Sequence, residues 1–62
     1  MSGESLLSMD PNILLSMVNL KLRDYYGSLE DYCEDLGINK ALLEEKLEKI
    51  GYSYNREINQ FR

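Results

Sequence analysis

Histidine and tryptophan are absent from this chain of 62 residues, and cysteine, proline and phenylalanine each occur once. Without histidine there is no imidazole to activate Cys33 as a nucleophile or to complete a zinc set. A lone cysteine makes no internal disulfide. No apolar run approaches the roughly 20 residues that span a bilayer, and Leu6 and Leu7 are far short of a signal-peptide core, so a soluble, cytoplasmic protein is expected, without a membrane partner. Positive charge is also in short supply. Eleven acidic residues against seven basic ones give a net charge of −4, a field that repels polyanions and makes nucleic acid an improbable partner.

Hydrophobic residues make up 44% of the chain and charged residues 29%, the composition of a globular protein. A domain this small buries only about 60% of the surface its unfolded chain exposes, which leaves little room for a deep cleft. Residues 1–8 carry no periodicity and read as a flexible leader, with Met9 a candidate natural start; residues 9–62 read as one small domain.

Asp10 is placed to cap a first helix, with Pro11 at its first position, where the missing N–H costs nothing. That helix is expected to run to about Tyr26 and to end at Gly27. Leu14, Leu15, Val18, Leu22, Tyr25 and Tyr26 share one broad face, the core stripe. Ile13, Met17 and Leu20 form a second apolar patch on the opposite side. Ser16, Asn19 and Arg23 lie between the two faces, either as plain solvated residues or as the polar rim of a contact surface centred on that patch.

Ser28 opens a second helix, with Asp31 three residues on as a variant capping box. Leu29, Tyr32, Cys33 and Leu36 recur at helical spacing on one face. Gly37 supplies a left-handed residue to close it, Ile38 folds back, and Asn39 caps a third helix whose Leu43, Leu47 and Ile50 face the core before Gly51. Tyr52 to Arg62 changes period and reads as a β-hairpin turning at Asn55-Arg56-Glu57. Tyr54 is expected to pair with Asn59, which sets Tyr52 across from Phe61 with both rings on the helices; a one-residue slip would pair Tyr52 with Gln60 instead. The fold class expected is mainly α: a three-helix, helix-turn-helix-like domain with a C-terminal two-stranded β-hairpin.

The spacing from Cys33 through Gly37 to Leu43 suits two helices crossing near a right angle, and the hairpin makes the whole look like a minimal winged version. In DNA-binding proteins of that shape the outer face of the second helix of the motif enters the major groove. Here that face carries Asn39, Lys40, Ala41, Glu44, Glu45 and Glu48, and each carboxylate adds repulsion where affinity comes from neutralising phosphates. A DNA-binding regulator using Lys40, Arg56 and Arg62 is therefore the alternative reading. The simpler reading of the motif is a compact way to pack three helices.

The acidic residues Glu30, Asp31, Glu34 and Asp35, with Glu44, Glu45 and Glu48 beyond them, lack the alternating ligands and glycine turn of a calcium loop. Glu45 and Lys49 read as an i,i+4 surface pair. Cys33 sits on an apolar stripe as a small hydrophobe, and the tyrosines supply core bulk. No phosphate loop, zinc spacing or carboxylate dyad is present, so no cofactor, metal or enzymatic activity is expected. The expected role is a protein-interaction module, either a homodimer formed through helix 1 or a binder of another protein, with Ile13, Met17, Leu20, Ser16, Asn19 and Arg23 as candidate interface.

The sequence also resembles a known family. Asp-Pro-Asn at 10–12, Leu-Leu-Ser at 14–16, Asn19, Lys-Leu-Arg-Asp at 21–24, Ser-Leu at 28–29, Lys-Leu at 46–47, Gly-Tyr at 51–52, Tyr54 and Asn-Gln-Phe at 59–61 together resemble a family of short bacterial proteins catalogued as domain of unknown function 4250. The resemblance runs from Met9 to Phe61. It implies a small free-standing protein whose shared pattern excludes the leader, and it brings no activity, ligand or catalytic residue with it.

Overall fold

A computed structural model describes residues 7–62. Three helices, α1 (Pro11–Asp24), α2 (Leu29–Leu36) and α3 (Lys40–Glu48), precede two short antiparallel strands, β1 (Tyr54–Asn55) and β2 (Gln60–Phe61). The expected mainly α fold with a C-terminal hairpin is the one observed.

Each helix begins on the cap its sequence provides. Asp10 Oδ2 accepts from the N–H groups of Asn12 and Ile13 at 3.1 and 3.3 Å, Ser28 Oγ from Asp31 N–H at 3.1 Å, and Asn39 Oδ1 from Leu42 N–H at 3.2 Å. These bonds satisfy donors that a helix start leaves unpaired. The last two helices also end alike. Gly37 has φ +69° and Gly51 φ +88°, and at each the N–H of the glycine and that of the next residue donate back to the helix: Gly37 to Glu34 O and Ile38 to Cys33 O, then Gly51 to Glu48 O and Tyr52 to Leu47 O. This paired closure needs a left-handed residue at its centre, which glycine adopts without a Cβ clash.

The first helix ends earlier than expected, at Asp24, and Gly27 does not end it. Tyr25 leaves the helix with φ −127°, and the N–H groups of Tyr25 and Tyr26 both donate to Lys21 O, at 2.8 and 3.0 Å. Helical phase is lost at that point, so Tyr25 is not part of the core stripe. It is 71% exposed, and Lys21 Nζ sits 4.7 Å from its ring centre, a cation–π contact.

Leu14, Val18 and Leu22 of α1, Leu29, Tyr32 and Cys33 of α2, Ile38, Leu43 and Leu47, and Phe61 from the hairpin form one buried core. The leader was expected over residues 1–8; residues 1–6 lie outside the described residues, while Leu7 and Met9 pack half-buried against the core.

The hairpin register corrects the expected one by two residues. Tyr54 pairs with Phe61 and Asn55 with Gln60, and Ser53 and Arg62 exchange both backbone hydrogen bonds, at 3.0 and 2.9 Å. A two-residue shift keeps each side chain on its own face, so Phe61 still points inward, but its aromatic neighbour is Tyr54 at 5.5 Å and Tyr52 is left exposed. The longer connection exists because Asn59 is not a strand residue. It takes φ +53°, which asparagine tolerates better than most residues, and turns its side chain toward α1.

Candidate functional site

Three constellations stand out: a polar clasp between α1 and the hairpin, a charged node on the adjoining surface, and the outer face of α1.

The clasp is built on amides. Asn19 of α1 meets both backbone groups of Phe61: its Nδ2 donates to Phe61 O at 3.2 Å, and Phe61 N–H donates to its Oδ1 at 2.7 Å. One side chain thus does for β2 what a neighbouring strand would do. Gln60 Nε2 donates to Asn19 O at 2.9 Å. Asn59 Nδ2 donates to Leu22 O and Tyr26 O, both at 2.9 Å, taking up carbonyls that the end of α1 leaves free. Tyr54 completes the chain, its hydroxyl donating to Asn59 Oδ1 at 2.6 Å and accepting from Leu29 N–H at 3.2 Å. These bonds engage all four of the clasp's polar side chains within the protein. Asn19, placed by sequence on the rim of a contact surface, lies inside this clasp.

The charged node gathers on Glu30. Lys40 Nζ lies 2.8 Å from its carboxylate and Arg56 Nη2 2.7 Å, and Arg56 Nη1 reaches its second oxygen at 3.4 Å. Hydrogen bonds from Lys40 and then Arg56 hold the Glu30 carboxyl down to about 2, while Glu30 in turn raises both cations. Two of the three residues proposed for DNA contact are thus already engaged by an acid; Arg62, the third, is exposed. Among the described residues the i,i+4 ion pair on α3 is Lys40 with Glu44, at 3.9 Å, and not the expected Glu45 with Lys49.

The remaining candidates are structural in character. Cys33 is buried, and burial pushes its thiol up to about 11, the reverse of what a nucleophile needs. Tyr26 Oη donates to Asp35 at 2.6 Å, which raises the tyrosine pKa; with Asp31 and Glu34 they line a shallow depression. Among the described residues no group of three or more His, Cys, Asp or Glu is arranged to hold a metal ion.

The outer face of α1 leaves apolar surface exposed, as Leu42 of α3 and Ile58 of the hairpin also do singly. Ile13 is 60% exposed and Leu20 45%, whereas Met17 between them is half-buried and packs on the core. Ser16 Oγ bonds back to Asn12 O at 3.3 Å, and Arg23 forks onto Asp24 with bonds of 3.0 and 3.1 Å. The candidate interface is therefore Ile13 and Leu20 flanked by Ser16 and Arg23, with Met17 contributing its edge.

The profile of the family described as Domain of unknown function (DUF4250) matches residues 8–61. The chain belongs to the DUF4250 family. No curated protein and no solved structure matches it. The residues that carry the DUF4250 resemblance include Asn19, Tyr54 and Asn-Gln-Phe at 59–61, and these are the clasp. Sequence reading missed that role because the partners lie about 40 positions apart, and nothing local marks an amide as the partner of a distant backbone. The only local hint was an Asn-Gln pair beside the single phenylalanine. No helix among the described residues is long and apolar enough to cross a membrane.

Proposed function

We propose that this DUF4250 domain is a non-enzymatic protein-interaction module that works through the outer face of α1. The observation that carries this reading is the pair Ile13 and Leu20, two large apolar side chains left exposed one above the other on a helix whose opposite face is fully used by the core. An apolar centre with polar flanks is the layout of a protein contact surface. The clasp and the Glu30 node do not compete for this role, since their groups are paired within the chain.

A DNA-binding regulator acting through Lys40, Arg56 and Arg62 has less support, because Lys40 and Arg56 are already paired with Glu30, and Lys40 also with Glu44. A mobility shift on duplex DNA at low salt, where the phosphate contribution is greatest, would favour it over the interaction reading.

The interaction reading is tested by comparing the wild type with Ile13→Glu/Leu20→Glu, which leaves the buried residues of α1 untouched. Wild-type protein is expected either to self-associate or to retain a partner from an extract of its source organism that the variant loses. Identical solution mass and identical bound proteins for the two would overturn the proposal.

A further inference from the structure

The charges beside the stripe on α1 say which partner it fits. We infer that the partner is a second copy of this chain, docked with its α1 antiparallel so that Ile13 of each copy packs on Leu20 of the other; this rests on the interaction reading above and specifies it.

At about 100° per residue, Ile13, Met17 and Leu20 occupy one narrow sector of α1. Asp10 and Lys21 fall along one edge of that sector, and Ser16 and Arg23 along the other, while Asp24 falls within it beyond Leu20, exposed and paired with Arg23. A two-fold axis lying across the helix reverses its direction but keeps each edge on its own side. The register that sets Ile13 on the second copy's Leu20 therefore brings Asp10 of one copy alongside Lys21 of the other, twice in the same contact. Arg23 is already balanced by Asp24. Among the described residues no carboxylate pairs with Lys21, whose ammonium rests over the exposed Tyr25 ring. Among the described residues the charges near the stripe without an ion-pair partner are thus Asp10, which caps α1 through Oδ2, and Lys21 toward its end, an arrangement that is self-complementary only when the helices run in opposite directions. A parallel pair, whose two-fold axis runs along the helices, would exchange the edges and set Lys21 of one copy beside Arg23 of the other, far from any Asp10, with the helix dipoles aligned unfavourably as well.

Such an isologous contact closes on itself and stops at a dimer. Few apolar side chains contribute from each copy, so the contact belongs with small, weak interfaces, and association is concentration-dependent.

Sedimentation of the full chain across a wide concentration range at low salt tests the partner. The mass is expected to rise toward that of a dimer, Ile13→Glu to remain monomeric with an unchanged helical circular-dichroism spectrum, and Lys21→Glu to weaken the dimer several-fold by setting two acids against each other. A wild type that stays monomeric throughout overturns the second-copy inference, while the interaction reading is still decided by the capture comparison above. Orientation is tested by mixing Ile13→Cys and Leu20→Cys copies in equal amounts and oxidising with diamide; Cys33 is buried and can be left in place. Mixed disulfides well above their statistical share are expected. An excess of like-with-like disulfides would overturn the antiparallel arrangement.

Discussion

The middle of the chain and its end are built on different principles. From Ser28 to Gly51, α2 and α3 are delimited by contacts between residues three to five positions apart: a serine cap, a left-handed glycine closure, an asparagine cap and a second glycine closure. The hairpin's contacts of that kind are the Asn55 Oδ1 that accepts from Glu57 N–H at 3.0 Å and the Tyr54–Asn59 bond. Its strands are two residues long, and a hairpin of that size is at best marginal in water. It persists because Phe61 is buried to 1% exposure and because Asn19, Asn59, Gln60 and Tyr54 bind it to α1 and α2. Local chemistry starts and stops a helix, whereas a short strand borrows its stability from whatever it lies on.

This contrast can be broken most severely at Phe61. Replacing a buried phenylalanine with alanine costs about 3–5 kcal/mol, comparable with the whole stability of about 3–9 kcal/mol expected for a domain of this length. Phe61→Ala is therefore expected to leave the domain largely unfolded in urea titrations followed by circular dichroism. Asn19→Ala removes one side chain but strands the N–H and C=O of Phe61, and leaving buried polar groups unpaired costs about 1–3 kcal/mol. It should lower the urea midpoint and speed amide exchange of the hairpin before that of α2 and α3; equal acceleration everywhere would show that the two regions unfold as one unit.

Asn39→Ala probes the local side of the comparison. Loss of a helix cap costs about 1 kcal/mol, and the effect should appear as faster exchange in the first turn of α3 with the hairpin unaffected. The smallest effect is expected at Glu30, which joins the two regions through Lys40 and Arg56. Its carboxyl is held at about 2 against an ordinary 4.5, so it stabilises the fold fully above about pH 4.5 and loses that contribution as the pH falls through about 2. Glu30→Gln should flatten the acid limb of the stability curve in that window at low salt. Because the node is solvent-exposed, added salt should shrink the difference.

The same division explains which features of the fold are legible in the sequence. Asp10, Ser28, Asn39, Gly37 and Gly51 act within one turn of themselves, and their roles were legible from spacing alone. Tyr25 was misplaced because a helical wheel continues through a terminus that the backbone does not respect: once two N–H groups share Lys21 O, the next side chain points elsewhere. The hairpin register was misplaced for a related reason, since the position of the turn depends on Asn59 finding carbonyls at the end of α1. Of the candidate interface, Ile13 and Leu20 are exposed as their pattern implied, whereas Met17 is half spent on the core and Asn19 on Phe61.

What the sequence by itself determined is the set of helices, their caps and closures, the acidic balance that disfavours phosphate, and an apolar stripe on α1 beyond what the core stripe requires. Periodicity and capping are interactions among neighbours in the chain, and neighbours are what a sequence displays. Only the tertiary structure decided that three amides and a tyrosine hold the hairpin, that Lys40 and Arg56 are consumed by Glu30, and which part of the stripe reaches solvent. Those outcomes depend on which groups meet across some 10 to 42 positions, and a polar side chain gives no local sign of whether its partner is water or a distant backbone.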